Sequence, residues 1–172
     1  MKTKYEGILA IDPGISATGW AIMIDKRLEA CGLLRADDLN MVESIQKLCY
    51  DLNLVWEKHM SGTKPPEYMV IEKPQVYQQR LSKGDPNDLI PLAIIGGAAW
   101  ITMKPKHVSF PLPRQWKGQV PKKVLFERVF KDLSKREENI LKEDSELVPA
   151  NLRHNVYDAV CLGKWAVERF MK

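Results

Sequence analysis

At 172 residues, 45% of them apolar and 28% charged, the chain has the balance of a globular protein and the length of one α/β domain, enough to bury roughly two-thirds of its unfolded surface. It holds no run of about 18 apolar residues, which excludes a membrane-spanning helix. Residues Met1 to Tyr5 lack a secretory signal's apolar stretch and cleavage site, so a cytoplasmic location is expected.

The chain then reads as alternating elements. Gly7 to Ile11 is an apolar run ending in Asp12-Pro13-Gly14, and after Thr18-Gly19 a second run covers Trp20 to Ile24. Two such runs about a glycine-containing turn predict a hairpin, and a third strand is expected over Leu28 to Leu34. From Asp37 or Asp38, either of them a suitable N-cap, apolar positions recur at helical spacing from Leu39 to Trp56. Tyr68 to Glu72 is a short buried strand stopped by Pro74. A second helix is expected from Pro86-Asn87-Asp88 to about Met103; its Gly96-Gly97-Ala98-Ala99 stretch permits close packing, either on the sheet or across a dimer contact.

His107 to Leu112 reads as one more strand and Pro121 to Leu133 as a third helix. Ser134 to Glu146 is so highly charged that a helix extension and a loose connector are both open. A last helix is expected from about Pro149 to Phe170, with Leu152, Val156, Val160, Gly163, Val167 and Phe170 on its inner face. This order predicts a mixed sheet flanked by helices in a single domain. Cys31, Cys49 and Cys161, odd in number and widely spaced, exclude a disulfide framework and a cysteine zinc site, and free buried thiols are expected.

Charge is distributed unevenly. Residues 73–136 carry 13 basic and 4 acidic side chains, whereas residues 1–72 carry 8 and 11. A basic block between acidic segments is the footprint of a phosphate-binding surface, since neutralising the backbone supplies much of nucleic-acid affinity; a solvated lysine-rich face is the plainer alternative.

Three acids stand where chemistry is often carried. Asp12 leaves the first strand, Glu72 ends a later one, and Asp158 lies in the final helix. Carboxylates brought to one point repel one another unless cations lie between them. Hard oxygen ligands suit Mg²⁺ or Mn²⁺, and a pair of such ions about 4 Å apart serves phosphodiester hydrolysis.

The segment Ile8 to Trp20, with its Asp12-Pro13-Gly14 turn and Thr18-Gly19, resembles the opening of the RuvC-type Holliday junction resolvases, nucleases of the RNase H-like superfamily from bacteria and phages. Val70-Ile71-Glu72-Lys73-Pro74 resembles that family's second acid-bearing strand. Pro113-Arg114-Gln115-Trp116-Lys117-Gly118 with Lys122 or Lys123 resembles its basic segment, and Asn155-Val156-Tyr157-Asp158-Ala159 its last metal-binding helix. The four motifs occur in the family's order along nearly the whole chain.

The resemblance implies an RNase H-like five-stranded mixed sheet flanked by α-helices. It also implies Asp12, Glu72 and Asp158 as metal ligands and catalytic residues, two Mg²⁺ or Mn²⁺ ions per site, and Lys117 at the scissile phosphate. Branched four-way DNA as substrate, 5′-phosphate and 3′-hydroxyl products and a two-fold homodimer follow from it as well. Arg80, Lys83, Arg114, Lys117, Lys122 and Lys123 are the expected DNA contacts, with Tyr77 either stacking on an unpaired base or anchoring its loop.

The family places an acid, or in some members a histidine, three residues before the last Asp. This chain has Asn155 there and His154 beside it, and on a helix both project within about 60° of Asp158, so either is a candidate fourth ligand. Two rivals stand beside this reading. One is a branched-DNA binder without catalysis, favoured by Asn155. The other is an actin-like or sugar-kinase nucleotide domain, which shares the turn but needs two lobes.

Overall fold

A computed structural model describes residues 7–60, 64–75, 87 and 89–171. Five strands form one mixed sheet in the order β3-β2-β1-β4-β5. They are β1 (Gly7–Asp12), β2 (Ala17–Ile24), β3 (Arg27–Arg35), β4 (Tyr68–Ile71) and β5 (His107–Ser109). The first three form an antiparallel meander, and β4 and β5 run parallel to β1 and to each other.

The helices are α1 (Met41–Met60), α2 (Leu89–Met103), α3 (Pro113–Trp116), α4 (Lys122–Lys131), α5 (Lys135–Glu146) and α6 (Arg153–Phe170), with a 3₁₀ turn at Ala150–Leu152. Among the described residues no helix is long and apolar enough to cross a membrane.

Side chains alternate across a strand, and in β1 this splits the core in two. Leu9 and Ile11 join Met69 and Ile71 under Leu48, Leu52 and Trp56 of α1 and Ile95, Ala99 and Met103 of α2. Ile8, Ala10 and Val70 face the other way, onto Val156, Ala159, Val160 and Leu162 of α6. Every residue of β1 before Asp12 is buried, as expected for a central strand covered on both faces. Gly163 admits α6 closely, since a β-carbon there would press on the Met23 side chain and Ala10.

Several boundaries differ from those read in the sequence. Strand β2 begins at Ala17 rather than Trp20, because Thr18 closes the turn itself: its hydroxyl accepts from the Gly14 N–H (3.2 Å) and donates to the Gly14 carbonyl (2.9 Å). Helix α1 starts at Met41, not after Asp37 or Asp38. Asn40 caps it by accepting from the Glu43 N–H, and the Glu43 carboxylate accepts from the Asn40 N–H. Asp38 instead takes a left-handed backbone (φ 59°), incompatible with helix entry. Strand β5 stops at Ser109, short of Leu112, and Pro113 opens a one-turn helix, α3, within the basic motif.

The charged stretch 134–146 is a helix of its own, opened by Ser134 and Glu137 in a reciprocal cap. It covers the open edge of β3: the Glu137 carboxylate accepts from the Leu28 N–H (2.8 Å) and Asp144 from the Cys31 N–H (3.1 Å). An uncovered edge strand invites pairing with other chains. Two turns of helix and three residues of strand both span about 10 Å, so acids seven apart match these two N–H groups. Cys31 and Cys161 are buried and Cys49 is half-buried, all three free.

Candidate active site

The same alternation that builds the core aims the acids. Asp12 follows Ile8 and Ala10 on the α6 side of the sheet. The Glu72 N–H donates to the Ile11 carbonyl (3.0 Å), prolonging the β1–β4 register by one residue, so Glu72 stands alongside Asp12 and shares Val70's face. Helix α6 lies across that face. It brings in Asp158, 2% exposed.

The approach is possible because Gly19, the register partner of Asp12, has no side chain. A β-carbon there would lie 2.1 Å from the Asn155 carbonyl oxygen. Asp12, Glu72 and Asp158 therefore come into one electrostatic cluster, together with Lys117 and Lys122.

The cluster holds its carboxylates against opposing costs. Burial, followed by the charges of Asp158 and Glu72, pushes the Asp12 pKa well up, with Lys122 and Lys117 pulling the other way. Burial also raises Glu72, offset in part by Lys117 and by the Trp116 N–H. Burial lowers Lys122, but its hydrogen bond to Asp158 and the surrounding acids outweigh this and carry it upward.

Two of the three acids are engaged by ammonium groups. Lys122 Nζ lies 2.5 Å from Asp158 Oδ2. Lys117 Nζ lies 3.3 Å from Glu72 Oε2, on which Trp116 Nε1 also converges at 2.8 Å. Among the described residues no three His, Cys, Asp or Glu side chains gather tightly enough to hold an ion as they stand. The donor set nevertheless suits a hard divalent cation: three carboxylates resist sharing one cleft, and the buried Asp158 Oδ1 has no hydrogen-bond partner among the described residues.

The remaining expected site residues divide by position. His154 is exposed in the first turn of α6, whereas Asn155 is half-buried. Arg114 is exposed on α3, and Lys123 is exposed beside Glu127 at 4.0 Å. Tyr77, Arg80 and Lys83, like Pro86 and Asp88 of the expected helix start, lie outside the described residues. Sequence reasoning placed Trp116 inside a motif but gave it no role, and it treated Lys122 as a DNA contact rather than the partner of Asp158. A tryptophan directly before the motif's lysine was the available signal. Gly19 too was quoted without its role, the admission of α6.

The architecture has solved counterparts at low identity. A Thermus thermophilus RuvC structure is 14% identical with a TM-score of 0.56, covering 96% of each chain. T. thermophilus RuvC in complex with a Holliday junction substrate is 14% identical with a TM-score of 0.54, covering 95% of this chain and 96% of that one. The yeast mitochondrial Holliday junction resolvase Ydc2 is 9% identical with a TM-score of 0.54, covering 92% of this chain and 77% of that one. No family model and no curated protein matches the sequence. At these identities the likeness establishes the fold, an RNase H-like α/β sheet flanked by helices.

Proposed function

We propose that this protein is a divalent-metal-dependent, structure-selective endonuclease that resolves Holliday junctions and related branched DNA, a crossover junction endodeoxyribonuclease leaving 5′-phosphate and 3′-hydroxyl ends. The observation that carries this reading is the clustering of Asp12, Glu72 and Asp158 with Lys117 and Lys122 at one end of the sheet. The fold is the one found in RuvC bound to junction DNA.

Asp12, Glu72 and Asp158 would hold Mg²⁺ or Mn²⁺, most simply two ions. Asn155 is better placed than His154 as a fourth ligand, because its backbone packs on Gly19 beside Asp12. Bound there, the ions supply water activation and charge neutralisation at the phosphate. Lys117, held between Glu72 and the Trp116 ring, is positioned to receive a phosphate oxygen. Lys122, whose side chain is 51% exposed, reaches the same anion from the solvent side. Arg114 and Lys123 extend the positive surface along the DNA backbone, and Arg80, Lys83 and Tyr77 are assigned to the DNA by their sequence positions.

A homodimer fits a substrate with two equivalent strands to cut. On α2, Gly96 and Ala99 are used up against the sheet, but Ile90, Ile94 and Ile101 are exposed. Together with Gly97, which faces open space, they form one helical stripe that we assign to the dimer contact.

The decisive experiment incubates the protein and an Asp12→Asn variant with a labelled four-way junction, with and without Mg²⁺ or Mn²⁺. Paired, metal-dependent nicks by the natural protein, with binding but no cutting by the variant, support the nuclease. Equal binding without cutting by either would replace it with a junction-binding protein, the reading favoured by Asn155 in place of an acid.

A further inference from the structure

The donors around Glu72 separate the acids of the cluster from one another. Asp158 is met by Lys122, a flexible and half-exposed side chain, whereas Glu72 is met by the indole N–H of Trp116, which is 7% exposed and packed into the core beneath α6. The same indole carries Lys117, whose ammonium lies 4.9 Å from the ring centroid and reaches the same carboxylate oxygen at 3.3 Å. Both donors converge on Oε2, and among the described residues none is found on Oε1, the oxygen that would turn to a cation.

Helix α3 fixes this arrangement from its own backbone. Pro113 occupies its first position, the Gln115 side chain accepts from the Leu112 N–H (2.7 Å), and the Lys117 N–H donates to the Pro113 carbonyl (2.9 Å). A rigid two-angle side chain rooted in a one-turn helix cannot follow Glu72 if that carboxylate rotates. It therefore defines the rotation.

The geometry assigns Trp116 as a positioning residue: its indole N–H orients the Glu72 carboxylate for a divalent cation, and its ring face holds Lys117 at the phosphate. Partners of this kind, which bind a ligating carboxylate from behind, typically alter metal affinity or activity about 10- to 100-fold when removed. Trp116→Phe keeps an aromatic side chain at this buried position and removes the N–H donor, at the cost of a smaller ring. The inference rests on the nuclease reading for its activity arm but not for its spectroscopic one.

The test uses the full chain labelled with ¹⁵N at tryptophan. Its five tryptophans give five indole N–H signals, and Trp116→Phe identifies the one that matters. We expect that signal to shift in Glu72→Gln and to move as Mg²⁺ is added to the natural protein. Trp116→Phe should lower the melting temperature modestly through its smaller ring yet remain folded at the assay temperature, and should need about 10- to 100-fold more Mg²⁺ for half-maximal junction cutting, with rate largely restored at saturating metal.

A Trp116 signal indifferent both to Glu72→Gln and to Mg²⁺, in a protein that cuts normally, would overturn the positioning role and leave the nuclease standing. A signal that tracks Mg²⁺ in a protein that cuts nothing would do the reverse. Trp116→Phe with unchanged metal demand also overturns it.

Discussion

Gly19 on β2 lies directly beneath the backbone of Asn155 on α6, so close that a β-carbon at Gly19 would come within 2.1 Å of the Asn155 carbonyl oxygen and 2.5 Å of its carbon. Since Gly19 pairs with Asp12 and Asn155 is one turn from Asp158, this contact sets how near the two acids come.

The first prediction tests that contact. In Gly19→Ala the obstacle is backbone, which cannot swing aside, so α6 must lift. We expect destabilisation of about 1–3 kcal/mol in urea unfolding, with junction cutting reduced far more than the folded fraction. Wild-type cutting by this variant would show that the spacing of Asp12 and Asp158 is not set here.

Asp12 gives a prediction of opposite sign. Its pKa is raised by burial and by the neighbouring Asp158 and Glu72, so the folded protein binds this proton more tightly than the unfolded chain does. Stability therefore falls as pH climbs from the ordinary aspartate range through the raised value. Asp12→Asn in chelator should be more stable than the natural protein by about 0.5–2 kcal/mol. Added Mg²⁺ should raise the melting temperature of the natural protein and do little for the variant. A variant that melts lower in chelator contradicts the repulsion argument.

Glu137 behaves as the reverse case. Burial opposes its charge, but the Lys164 ammonium, the Leu28 N–H and Ser134 together hold its pKa down to about 2. Its stabilisation is full above the ordinary glutamate value and lost as pH falls from about 4.5 toward about 2. Glu137→Gln should flatten that acid limb in urea titrations between pH 2 and 7. Glu137→Ala, which strands the Lys164 charge and leaves an edge N–H of β3 unmet, should cost about 3–5 kcal/mol at neutral pH.

The exposed α2 stripe predicts assembly. Ile94→Lys with Ile101→Lys changes two solvent-facing positions, 39% and 68% exposed, and should shift the unfolding free energy by no more than about 0.5 kcal/mol each. Sedimentation should then report a monomer, and junction cuts should become single nicks rather than pairs. An unchanged dimer would place the contact elsewhere on the protein.

Much of this architecture was already legible in the sequence. The apolar runs at Ile8 to Ile11 and Met69 to Ile71, each ending at an acid, identify central strands, and parity alone sends Asp12 and Glu72 to the same side as Ala10 and Val70. These are local properties, set by alternation, turn residues and caps within about four positions. Pairings between distant elements carry no such local signature. Trp116 meets Glu72 across 44 residues and Lys122 meets Asp158 across 36. Which ammonium serves which carboxylate follows from how α3, α4 and α6 pack on the sheet. Helix α5 escaped the hydrophobic pattern for a related reason: it docks through Glu137 and Asp144 onto backbone N–H groups more than 100 residues earlier, and only the folded edge of β3 gives those acids a partner.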